Sequence, residues 1–82
     1  MPTVLRAGGF RVVIHLPPRE HAPPHVHVWN AGGEVVIELA AAGRPQTIRE
    51  VVGMRTQDVV SAFWIVEEHT LYLLQRWRQY HG

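Results

Sequence analysis

His25-Val26-His27-Val28-Trp29-Asn30-Ala31-Gly32-Gly33-Glu34-Val35-Val36-Ile37-Glu38-Leu39 decides how the rest of the chain is read. Two alternating runs flank a small, glycine-bearing break. In a strand every second side chain faces the same way. A two-residue loop at Ala31-Gly32 sets Asn30 against Gly33, Trp29 against Glu34, Val28 against Val35, His27 against Val36, Val26 against Ile37 and His25 against Glu38. In this register Val26, Val28, Val35, Ile37 and Leu39 share one face. His25, His27, Trp29, Glu34, Val36 and Glu38 share the other. A slip of one residue would mix the two sets, so the hydrophobic pattern selects this pairing. The valine face is the expected core. The histidine face is expected to stay open.

Outward from this hairpin the reading is mostly strand. Residues 3–6 are β-prone, and Ala7-Gly8-Gly9 is a turn that joins them to an alternating strand at 10–16 (FRVVIHL). If that strand lies beside the histidine strand with Phe10, Val12 and Ile14 in the core, Arg11 and His15 join the histidine face. Pro17-Pro18 ends it, because proline cannot donate to a ladder, and 17–24 becomes an extended loop. Residues 46–54 (QTIREVVGM) read as a fifth strand on β-branched content, with a helical turn as the alternative.

From Thr56, taken as N-cap, apolar residues recur at three- and four-residue steps: Val59, Phe63, Val66, Thr70, Leu73 and Trp77. Asp58 in the first turn suits the helix dipole. The expectation is one long C-terminal helix ending near Tyr80, packed across the valine face. Phe63 and Trp77 are assigned to the core, and Trp64, one step off the stripe, to a core edge or a dimer contact. Arg76 and Arg78 are read as complements to the dipole. His69 is read as a surface residue. His81 is read as solvated unless the helix end folds back to the sheet. The fold class is α+β: a small antiparallel sheet of four or five strands against one helix, in a single domain spanning 1–82.

Composition narrows the chemistry. The chain has 82 residues, 46% hydrophobic and 18% charged, the profile of a globular protein with a modest core. With no cysteine, disulfides and thiolate ligands are excluded, so a metal site must use imidazole and carboxylate. No signal-like segment and no apolar run near the roughly 20 residues of a membrane span is present, so a cytoplasmic, non-membrane protein is expected. Net charge is +1, too small to argue nucleic-acid binding from composition. All eight basic residues are arginine, which suits carboxylate or phosphate recognition and equally a GC-rich coding sequence.

The opening Met1-Pro2-Thr3-Val4-Leu5-Arg6, the Gly-Gly turn and the central His21-x-Pro23-Pro24-His25-x-His27-Val28 resemble the bacterial family known as domain of unknown function 4160. Glu34 after the second turn matches it too, as do Ile65-Val66-Glu67-Glu68-His69, Leu73-Leu74, Trp77 and His81-Gly82 near the end. The resemblance covers nearly the whole chain. It implies a small bacterial α+β protein, encoded beside a second small protein in an arrangement like a toxin–antitoxin pair. It supplies no established activity and no catalytic residues. It directs attention to His21, His25, His27, Glu34, His69, Trp77 and His81 as motif positions.

Three functional readings of the histidine face stay open. In the first, His25 and His27, roughly 6.5–7 Å apart along one strand, converge on a divalent metal such as Zn²⁺, Ni²⁺ or Fe²⁺. His21 then folds over as a third ligand, and Glu38 or Glu34 serves as a fourth ligand or fixes an imidazole tautomer. In the second, His25 and His27 act as acid and base on an RNA phosphodiester, Arg11 or Arg19 binds the phosphate and Trp29 stacks a base. In the third there is no catalysis, and the face with Trp29, Arg19 and Glu34 binds a small cognate protein or a second copy of the chain. The expectation is a protein of toxin–antitoxin type acting through this face.

Overall fold

The computed structural model describes residues 2–18 and 22–82. Arg19, Glu20 and His21 therefore lie outside the described residues, and with them the expectations placed on Arg19 and His21. Five strands run in order β1 (Thr3–Ala7), β2 (Phe10–Val13), β3 (His25–Trp29), β4 (Glu34–Glu38) and β5 (Thr47–Val52), followed by α1 (Thr56–Glu68) and α2 (Thr70–His81). The strands form one antiparallel sheet in sequence order, a meander that needs no crossover.

The central hairpin has the register expected from its pattern. His25 faces Glu38, Val26 faces Ile37, His27 faces Val36, Val28 faces Val35 and Trp29 faces Glu34. Asn30 holds the turn. Its Oδ1 accepts from Gly32 N at 2.9 Å and Gly33 N at 3.0 Å, while its Nδ2 donates to Asp58 Oδ2 at 3.2 Å. One side chain thus closes the loop and ties it to the first turn of α1. Gly33 is required by a close approach, because a Cβ there would meet Val52 O and come within 2.7 Å of Gly53 C and Met54 N. The first hairpin turns through Gly8 and Gly9 at φ 56° and 81°, two consecutive positive values that L side chains rarely adopt.

β2 is shorter than its hydrophobic pattern suggests and ends at Val13. The approaching prolines draw the chain out of the ladder, and the carbonyl of His15 is taken by His81 Nε2 at 2.8 Å. β5 is confirmed as a strand, and a bulge shifts its register against β4 between the Val36–Glu50 and Ile37–Ile48 pairs.

The helical segment corrects the expectation of one long helix. Two helices meet at His69, whose backbone sits at φ −113°, ψ 22°. Local hydrogen bonding accounts for the break. His69 Nδ1 donates to Ile65 O at 2.8 Å, and Thr70 Oγ1 donates to Glu67 O at 2.9 Å and Val66 O at 3.3 Å. These side chains occupy the carbonyls that a continuous helix uses, and the backbone N–H of His69 bonds Val66 O in a tightened turn. His69 is half-buried rather than a free surface residue. Thr56 is not the N-cap. Arg55 occupies that position with no side-chain cap bond, so Thr56 is the first helical residue, and Asp58 supplies the charge in the first turn.

The core sits between the valine face and the helices. Val12, Ile14, Val26, Val28, Val35, Ile37 and Leu39 pack with Val59, Ala62, Val66, Leu73, Leu74 and Trp77. Each fully buried Val or Leu contributes about 1.5–3 kcal/mol of burial free energy. Phe63 is only half-buried and stands outside this cluster, a correction to its core assignment. The small Ala62 takes the inward position where α1 lies on β4. Arg76 does not face the helix end. It donates to Tyr72 OH at 3.1 Å and to Tyr80 OH, and the Tyr80 bond is the main cause of a guanidinium pKa raised above its ordinary value. Tyr72 in turn donates to Val4 O at 2.7 Å, fixing α2 to β1. Among the described residues no helix is long and apolar enough to cross a membrane.

Candidate functional site

The sheet face opposite the valines is built by register. Arg6 pairs with Arg11, Arg11 with Trp29 and Trp29 with Glu34, so these four residues form one row across β1 to β4. His27 stands in the adjacent row, between Val13 and Val36. It is therefore a diagonal neighbour of both Arg11 and Glu34, at a spacing that long side chains bridge.

The imidazoles are tightly held. His27 Nδ1 donates to Glu34 Oε2 at 2.7 Å. His25 Nδ1 donates to Pro23 O at 2.9 Å. Each acceptor is an oxygen, so each Nδ1 carries a proton. His15 stacks on His27 with ring centres 4.0 Å apart and planes 5° from parallel, and His25 meets His27 edge-on at 5.4 Å. The stack continues through Trp77, 5.1 Å from His25, to His81, 3.8 Å from Trp77. The C-terminal end of α2 does fold back onto the sheet, and His81 is one of its anchors.

This packing corrects the expectation of an open histidine surface. His25 retains 1% of its exposure and His27 9%. Alternation predicts which face a residue takes but not what comes to cover it, and Trp77 arrives from the far end of the chain. Glu38 is also placed differently from its expected role beside a metal. Its backbone pairs with His25, but its carboxylate goes to Arg49 Nε at 3.0 Å and Arg44 Nη2 at 3.7 Å. Among the described residues Glu34 is the carboxylate that reaches an imidazole. Among the described residues no three His, Asp or Glu side chains converge as a metal-holding group.

The arginine end of the row is open to solvent. A cavity of about 290 Å³ is lined by Arg6, Gly9, Arg11, Trp29, Asn30 and Ala31. Among the described residues no carboxylate pairs with Arg6 or Arg11. Trp29 is half-buried, and its Nε1 is inaccessible and lacks a hydrogen-bond partner among them. Two guanidiniums and an indole therefore share one concave rim. Arg6 and Asn30 were not singled out from sequence. Both signals were present: the facing of Arg6 follows once the first hairpin is paired, and Asn two residues before Gly is a turn-closing pattern.

The fold and this site define an α+β protein whose sheet carries a buried histidine stack beside a row of arginines. The model of the family described as Domain of unknown function (DUF4160) matches residues 9–78, and the chain belongs to that family. Comparison with curated proteins and with solved structures returns no match.

Proposed function

We propose that this chain is a small protein of toxin–antitoxin type that cleaves RNA at the face formed by His27, Glu34, Arg11, Arg6 and Trp29. The observation that carries the reading is the 2.7 Å hydrogen bond from His27 Nδ1 to Glu34 Oε2. A carboxylate on one ring nitrogen sets the other as a base and stabilises the cation that forms when it takes a proton.

In the proposed reaction His27 Nε2 accepts the proton of a ribose 2′-hydroxyl. The 2′-oxygen attacks the adjacent phosphorus, and the bond to the 5′-oxygen of the next nucleotide breaks. The same imidazole returns the proton to that oxygen, leaving a 2′,3′-cyclic phosphate and a 5′-hydroxyl. Arg11, with Arg6 beside it, binds the phosphate and opposes the charge that builds on its oxygens. Trp29 offers a face for a flanking base. His25, buried against Trp77, braces His27 rather than reaching substrate. A cognate protein from a neighbouring gene is the expected inhibitor. The test in cells is growth on expression of the chain alone. The wild type should arrest growth and His27→Gln should not; equal growth of the two strains removes the toxin reading.

A second reading has its own support. Nδ1 donation to an oxygen acceptor, present in both His25 and His27, is the arrangement that orients imidazole Nε2 toward a divalent metal. In that reading Glu34 is an outer partner of the metal ligand. Calorimetric titration with Zn²⁺ and Ni²⁺ separates the readings. Stoichiometric binding lost in His27→Gln favours the metal site, whereas RNA cleavage undiminished by EDTA favours the metal-free reaction.

A further inference from the structure

The two edges of the sheet are finished differently. At the β1 edge the ladder is interrupted between Thr3 and Leu5, and the Val4 carbonyl is occupied by Tyr72. Both features protect an edge from pairing. The β5 ladder is bulged as well, at Arg49, but among the described residues no side chain caps its outer edge. All six residues of Thr47–Val52 are exposed, including Ile48 at 46% and Val51 at 45%. Beside it α1 presents Val60 and Trp64, the latter 59% exposed. An apolar cavity of about 310 Å³ runs between strand and helix, lined by Ile48, Val59, Val60, Phe63 and Trp64. An edge strand flanked by apolar surface is an interaction site rather than ordinary scatter.

We propose that this edge binds a second copy of the chain, β5 pairing antiparallel with its own symmetry mate. The side-chain order of β5 selects the partner. Ile48 and Val51 lie opposite Ile37 and Val35, on the helix face. Thr47 and Glu50 lie opposite Glu38 and Val36, on the other face, and Arg49 reaches the Glu38 carboxylate there. The bulge is what allows Ile48 and Val51 to share a face. A two-fold axis perpendicular to the sheet keeps each face on its own side. Only one register then matches faces throughout: Thr47 with Val52, Ile48 with Val51 and Arg49 with Glu50 of the second copy. That register also sets opposite charges across the interface twice. A slip of one residue either way puts Arg49 against Arg49 or Glu50 against Glu50, and sets Ile48 or Val51 against residues of the wrong face. The matched arrangement is isologous, closes on itself and brings the Val60 and Trp64 faces of the two α1 helices together over a continuous sheet.

Sedimentation equilibrium of the full chain, from the lowest detectable concentration to the solubility limit, tests this. The wild type should dimerise. Arg49→Glu and Glu50→Arg should each raise the dissociation constant about tenfold or more, since two symmetry-related pairs turn repulsive together. The double exchange Arg49→Glu/Glu50→Arg should recover most of the wild-type value. Glu50→Arg leaves the Arg49–Glu38 pair intact, so its effect reads the interface alone. Trp64→Ser, at a site too exposed to endanger folding, should weaken the dimer as well. A wild type that stays monomeric at every concentration overturns the proposal, including the case in which a different protein occupies the edge. A dimer unaffected by both single charge reversals overturns it equally.

Discussion

His27 is positioned by residues that the sequence scatters: Glu34 across the turn, His15 from the end of the first hairpin, His25 two positions earlier on its own strand. The Glu34 contact was legible because period-two alternation and a two-residue loop leave one register. The burial of His25 was not, because it depends on Trp77, whose approach is set by a helix break that period alone does not reveal. Arg11 offers the cleanest residue-scale test of the binding face. Arg11→Ala should weaken single-stranded RNA binding and lower the salt slope of log K by about 0.7, the loss of one phosphate contact, in fluorescence anisotropy across a salt series. An unchanged slope would place the phosphate elsewhere. Ala42 offers a stability test. It sits at φ 52°, a left-handed backbone that L side chains adopt at a cost, next to Gly43 at φ 78°. Ala42→Gly removes that cost while loosening the unfolded chain, and should raise stability by about 0.5 kcal/mol in thermal denaturation.

At the scale of elements, the strands were readable and the helix only in part. Apolar spacing identified a helical stretch from residue 56 onward, and it is indifferent to a single hinge. The break at His69 comes from imidazole and hydroxyl donation to carbonyls of the preceding turn, a competition invisible to hydrophobic pattern. The same blindness placed Phe63 in the core when Ala62 takes that position. The central hairpin shows the opposite case, since its turn chemistry and its alternation agree. Gly33→Ala should destabilise the fold by about 2–3 kcal/mol in urea denaturation, because the added methyl meets backbone at Val52, Gly53 and Met54 rather than a yielding side chain. Asn30→Ala should cost about 1.5–3 kcal/mol, through loss of two turn bonds and the bond to Asp58 at the start of α1. A neutral result for Asn30→Ala would mean that the hairpin and α1 are held by the core alone.

Across the whole molecule, a net charge of +1 conceals an uneven surface. Arg44 and Arg49 are matched to Glu38, and Arg55 to Asp58 at 3.4 Å, while Arg6 and Arg11 stand together beside Trp29. Composition averages these away, and only the pairing of β1, β2 and β3 assembles the row. The arginine row crosses β1 to β3, the histidine stack beside it is closed over by Trp77 and His81 of α2, and β5 lies at the far edge of the sheet. The arginine row, across β1 to β3, stays clear of a β5 dimer. The most direct measurement of the central claim is cleavage of a single-stranded RNA by the purified chain in EDTA, with the new ends identified. The account expects 2′,3′-cyclic phosphate and 5′-hydroxyl products, formed about 10²–10⁴-fold more slowly by His27→Gln. A wild type that leaves the RNA intact, or a His27→Gln chain that cleaves it at the wild-type rate, would contradict it.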